Sequence, residues 1–129
     1  MKKLRIAVIG CGGIANQKHL PALSRQKDKC EIVAFCDIVE ERAQKAAKEY
    51  GTEDAKVYTD YAELLKDETI DVVHVCTPNV AHSPISVAAF EAGKHVMCEK
   101  PMAKTAEDAR RMVAAAKETG KKLHYGICG

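Results

Sequence analysis

Two glycines and an alanine at the end of a short apolar run constrain this chain more than any other feature. Residues 6–15 read IAVIGCGGIA, which sets Gly10, Gly12 and Ala15 at the spacing G-x-G-x-x-A. The run Leu4 to Ile9, apolar except for Arg5, reads as a parallel strand buried on both faces. Gly10 then permits a tight turn. Gly12 has no side chain to hold a diphosphate away from the backbone, and Ala15 is small enough for close helix–strand packing. The amides that open the following helix are suited to an anion. The loop Gly10, Cys11, Gly12, Gly13, Ile14, Ala15 is therefore the candidate cradle for a dinucleotide.

The surroundings strengthen this reading. Ile14 to Arg25 is long enough for a helix, made irregular by Pro21. A second apolar run, Ile32 to Cys36, ends in Asp37, which lies 22 residues after Ala15. A carboxylate at that distance suits the hydroxyls of an adenosine ribose. It could equally serve as a helix N-cap behind a turn that binds nothing.

Strand-like and helix-like segments then alternate to the last residue. Glu40 to Tyr50 is a helix closed by Gly51. Val57-Tyr58 is a short strand, and Thr59 or Asp60 caps a short helix through Leu65. Ile70 to Cys76 is a strand followed by the turn Thr77-Pro78-Asn79. Pro84 suits the first turn of a helix ending at Gly93. His95 to Cys98 is the fifth strand. A helix from Thr105 to Thr119 presents Ala109, Met112, Val113 and Ala116 on one face, and Lys122 to Ile127 is the sixth strand. Six strands alternating with helices predict an α/β fold: a doubly wound parallel sheet in three layers (α/β/α), with strand order 3-2-1-4-5-6. All 129 residues fit one dinucleotide-binding domain. The abrupt finish after the sixth strand resembles the cut edge of a longer protein.

Composition narrows the partners. Twenty basic residues nearly balance 18 acidic ones, and tryptophan is absent. No basic stripe with interleaved aromatics points to nucleic acid. No apolar run approaches the length of a membrane span or signal peptide, so the expectation is a soluble, cytoplasmic chain. The six cysteines form no C-x-x-C pair and match no zinc module, so no metal is expected and the thiols are read as reduced. Cys11 is singled out because a helix N-terminus beside it could lower its pKa.

Ligands of such sheets bind beyond the carboxyl ends of the strands. Thr77, Pro78, Asn79 and His82 follow strand four, and Glu99 and Lys100 follow strand five. Lys100 would be a cation at a hydride-transfer site, steadied by Glu99, or else a solvated surface lysine. His74 and His95 read as core or edge residues, and His19 as a polar helix residue. Asp37 followed by Ile38, where an arginine or serine would favour a 2′-phosphate, points to NAD. Arg42, one helical turn on, leaves NADP open.

IAVIGCGGIA, the strand ending in Asp37, CTPNVAH at 76–82 and AGKHVMCEKPMA at 92–103 occur in this order. Together they resemble the N-terminal NAD(P)-binding Rossmann domain of the glucose–fructose oxidoreductase / inositol dehydrogenase (Gfo/Idh/MocA) family, over essentially the whole chain. The resemblance implies an oxidoreductase of a sugar, cyclitol or related polyol. It places Lys100 at the nicotinamide as a catalytic residue, with Thr77 to Asn79 and His82 along the cofactor cleft and Pro101 shaping the turn. It also implies a second, substrate-binding domain, absent here, that often carries the family's oligomer contacts. The isolated chain is then expected to turn over poorly. The alternative is a free-standing, non-catalytic NAD-binding or sensing module that acts through a partner protein.

Overall fold

The computed structural model describes residues 3–11, 29–77, 79–98 and 106–125, with 79–83, 98 and 124–125 described by backbone alone. Six parallel strands form one sheet in the order β3-β2-β1-β4-β5-β6: β1 Leu4–Ile9, β2 Cys30–Cys36, β3 Lys56–Tyr58, β4 Val72–Val75, β5 His95–Cys98 and β6 Leu123–Tyr125. Four helices are described: α1 Glu40–Tyr50, α2 Tyr61–Leu64, α3 Asn79–Glu91 and α4 Ala106–Thr119. The expected order and parallel sense are thus present, with β6 contributing a three-residue pairing alongside β5. The helix expected over 14–25 and Thr105, the expected start of the last helix, lie outside the described residues.

The sheet carries apolar residues on both faces, as its continuous apolar runs require. On one face Ala7, Ile9, Val73, Val75 and Val96 pack with Leu64 of α2, Phe90 of α3 and Met112 of α4. On the other, Ile6, Val8, Ile32 and Phe35 pack with Ala43 and Ala46 of α1. The two clusters flank β1 by simple alternation of its side chains.

β2 breaks that alternation once. Ile6 lies opposite Ile32, but Ala7 lies opposite Ala34, so Val33 is an additional residue on β2. Val33 and Ala34 consequently belong to the same face. A one-residue shift moves every later side chain to the other side. Phe35 thereby joins the α1 face, and Asp37, two residues further, follows it.

One expectation needs correction. α3 begins at Asn79, so Pro84 is inside the helix rather than in its first turn. Pro84 has no N–H to give the carbonyl four residues back, and that bond is simply missing from an otherwise continuous helix. Gly51 closes α1, yet its φ of −83° is ordinary. It is glycine for want of space: a Cβ there would lie 2.7 Å from the Ala47 oxygen, the Ala55 Cβ and the Phe35 ring. The short helix α2 is capped by Asp60, whose carboxylate accepts from the Ala62 N–H at 2.9 Å.

The amino ends of the strands are tied by polar side chains. Arg5 N–H donates to the Asp71 carboxylate at 2.9 Å and the Asp71 N–H donates to the Arg5 carbonyl at 2.8 Å, joining β1 to the segment before β4. Lys94, only 3% exposed, donates from Nζ to the Asp67 carbonyl at 2.6 Å. His95 Nδ1 accepts from the Lys122 N–H at 3.0 Å, which fixes β5 against the start of β6.

Burial lowers the Lys94 pKa from its ordinary 10.5, against the opposing pull of Asp67, Asp71 and Glu68. With the folded value below the unfolded one, the native state holds fewer protons just below pH 10.5, and stability rises with pH there. Lys94→Met should destabilise the fold by about 1–3 kcal/mol at neutral pH. Its deficit against the parent should widen in urea titrations as the pH rises toward 10.5; a deficit that narrows would contradict the assignment.

Candidate functional site

The carboxyl ends of β1, β2 and β4 converge on one point, and backbone bonds extend the ladder beyond the strands. The Gly10 N–H donates to the Cys36 carbonyl at 2.7 Å, the Cys76 N–H to the Ile9 carbonyl at 2.8 Å and the Asp37 N–H to the Tyr58 carbonyl at 3.1 Å. Gly10 has φ +94°, a conformation that side chains rarely adopt. A Cβ on it would lie 2.8 Å from the Cys76 carbonyl carbon and 2.9 Å from the Thr77 nitrogen. Glycine is required here both for its dihedral and for the close approach of the chain leaving β4. That approach brings Thr77 against the glycine turn.

Asp37 is 8% exposed and turns its carboxylate toward the same turn. One oxygen, Oδ2, accepts the Cys11 N–H at 2.8 Å. The other, Oδ1, accepts the Val39 N–H at 2.8 Å. The second bond is an Asx turn just ahead of α1; Val39, not Asp37, occupies the N-cap position, and no side chain caps that helix. An ionised carboxylate offers about four acceptor positions. Two are used by these amides, which leaves capacity for a pair of ribose hydroxyls. Just outside, Ile38 is 90% exposed and Val39 41%. These flank the carboxylate with apolar surface, where a flat heterocycle would find contact and a phosphate would not.

Cys11 contradicts its sequence-based expectation. It is 1% exposed, and its thiol lies 3.5 Å from the Cys36 carbonyl, to which it donates. Burial first, then the Asp37 and Cys36 charges, push its pKa up to about 12. Burial and Asp37 likewise push Cys36 up to about 11. Both thiols stay protonated at neutral pH and behave as small apolar residues. His74 is a buried residue of β4, 4% exposed, as expected of a core histidine.

Of the candidate residues, Gly10, Cys11, Asp37 and Thr77 are brought together. Asn79 and His82 fall in the first turns of α3, whose amino end follows β4 directly; their side chains are outside the described set. Gly12, Gly13, Ile14, Ala15, Pro78, Glu99 and Lys100 also lie outside the described residues. Sequence reasoning overlooked the Val39 amide and the exposed Ile38–Val39 pair, which the run of two β-branched residues between Asp37 and the charged α1 could have signalled. An open cleft of about 410 Å³ lies at the opposite end of the strands, lined by Leu4, Asp71, Lys94 and His95 among others. It does not touch this constellation.

Residues 4–127 match the model of the GFO_IDH_MocA oxidoreductase family, NAD-binding Rossmann fold. This chain belongs to that family. It is 42% identical over 120 residues to the inositol 2-dehydrogenase of Salmonella typhimurium, covering 93% of this chain and 35% of that protein. It is 43% identical over 122 residues to the D-glucoside 3-dehydrogenase of Escherichia coli, covering 95% and 34%. The WlbA dehydrogenase from Bordetella pertussis, solved with NADH and UDP-GlcNAcA, superposes with a TM-score of 0.89 at 32% identity, covering 96% of this chain and 37% of that one. The chain thus spans about a third of the length of the curated relatives it matches. The glycine turn, the free acceptor capacity of Asp37 and the apolar rim fit the adenosine half of the NAD that this fold binds.

Gly10→Ala combines a strained φ with a clash against backbone, and should cost roughly 2–4 kcal/mol. Chemical denaturation should register that loss, and NADH binding should fall with it. An alanine variant of parental stability would refute the close approach of Gly10 to Cys76.

Proposed function

We propose that this chain is the cofactor-binding domain of an NAD-dependent oxidoreductase that acts on a sugar, cyclitol or related polyol. The observation that carries the reading is the buried Asp37 carboxylate beside the glycine turn, both at the carboxyl edge of the sheet. Named relatives that dehydrogenate inositol and glucosides support the substrate class. The nicotinamide, when bound, takes or returns the hydride of a carbinol carbon.

The chain's own residues divide the remaining work. Within the loop from Gly10 to Ala15, the amides beyond Cys11 hold the diphosphate, with Gly12 keeping the approach open. Asp37 accepts the ribose hydroxyls and repels a 2′-phosphate. Ile38 offers the adenine an apolar surface and gives a phosphate no donor. Thr77, Pro78, Asn79 and His82 line the nicotinamide half. Lys100 is the catalytic residue: its Nζ holds the substrate oxygen and carries a proton at that atom, with Glu99 steadying its charge. The substrate-binding half corresponds to the two thirds of the relatives that this chain does not span.

Calorimetric titration of these 129 residues should show NAD binding more tightly than NADP by at least about tenfold, equivalent to about 1.4 kcal/mol. Asp37→Ser should narrow or reverse that preference, with Arg42 then available to the 2′-phosphate. Tighter NADP binding by the parent chain would sink the assignment of Asp37 to the ribose.

A further inference from the structure

We propose that Asp37 also acts before any cofactor arrives, its carboxylate fixing the first turn of the diphosphate loop. Three observations carry this. Asp37 is a buried residue, at 8% exposure. Its Oδ2 takes the N–H of Cys11, the residue that follows the positive-φ Gly10. Its Oδ1 takes the N–H of Val39, at the entrance to α1. One side chain therefore clamps two backbone segments, the one leaving β1 and the one entering α1.

The chemistry gives the clamp a direction. An amide that already donates to a carboxylate is not itself a diphosphate donor, so Cys11 does not grip the ligand. Its bond instead sets the heading with which the chain leaves Gly10. Charge-assisted bonds of this length are about twice as strong as neutral ones, and burial excludes the water that would compete. The Val33 insertion in β2 is what brings Asp37 to this side of the sheet. Because Oδ1 and Oδ2 each hold one amide, the carboxylate is also oriented for whatever its remaining lone pairs accept. Asp37 is thus a positioning residue for the loop as well as the acceptor for the ribose, and ordering the loop beforehand reduces the entropic cost of binding.

The ribose arm of the test rests on the reading above, and the clamp is separable from it. The parent protein and Asp37→Asn are each titrated with NADH and with an NADH analogue lacking both adenosine ribose hydroxyls. Asparagine is nearly isosteric but accepts through one oxygen only and turns an NH₂ toward the second amide. If Asp37 serves the ribose alone, both proteins bind the hydroxyl-free analogue equally, and the clamp is refuted. If it also holds the loop, the variant binds that analogue at least about tenfold more weakly than the parent does. Equal binding of NADH and the analogue by the parent protein would remove the ribose contact, while the comparison of the two proteins would still decide the clamp. A second measurement needs no variant. Amide hydrogen exchange on the cofactor-free parent should show Cys11 and Val39 protected like neighbouring strand amides; exchange at the rate of an open loop would overturn the proposal.

Discussion

The missing side chain of Gly10 allows the rest of the edge to exist. With a hydrogen where any other residue has a Cβ, the chain leaving β1 lies against the backbone of Cys76 and Thr77 as it leaves β4. Two strand ends that would otherwise be held apart become neighbours. The Cys36 carbonyl and the Ile9 carbonyl complete the contact by accepting the Gly10 and Cys76 amides. This edge is therefore a backbone construction. Side chains are added to it from β2, through Asp37, and the helix after β4 starts beside it. A turn built this way is set by main-chain geometry, which is stiffer than any rotamer.

Much of this was legible in the chain itself. Continuous apolar runs announced buried parallel strands, and their alternation with helical segments gave the order of the central sheet. The separation of Ala15 from Asp37 anticipated an acid at the end of β2. Features without a compositional mark were not legible. Val33 is an ordinary strand residue, and nothing about it signals an insertion; only the opposing register with β1 exposes it. Pro84 suggested a helix start, whereas packing of Ile85, Ala89 and Phe90 carries the helix through the proline. Gly51 closes its helix as the sequence suggested, but the reason it is glycine, a space requirement against Phe35, carries no mark in the sequence. Cys11 sat where a helix dipole could activate it, but burial beside an acid outweighed that influence.

The G-K-H segment before β5 shows how a family signature divides its labour. Lys94 and His95 are at the amino end of the sheet, away from the cofactor edge. Lys94 anchors the turn before β4 through the Asp67 carbonyl, and His95 receives the amide of Lys122. The same stretch of sequence leads through β5 toward Glu99 and Lys100. The first residues of a motif recognised as a unit thus serve cohesion at the amino end of the sheet, before the motif runs on into β5. Residues that recur together in a signature need not act at the same place.

The additional residue in β2 turns strand length into a chemical variable. A chain one residue shorter between Ile32 and Cys36 would keep the same hydropathy, the same sheet neighbours and a plausible core. Its acid, however, would emerge over the opposite layer, among the helices that follow β3 and β4, and the glycine turn would face an apolar side chain instead. Insertions and deletions are usually thought harmless in loops and ruinous in strands because of lost packing. Here the damage would be one of parity: an odd change erases recognition, and an even change would restore the direction of the acid while moving it along the edge.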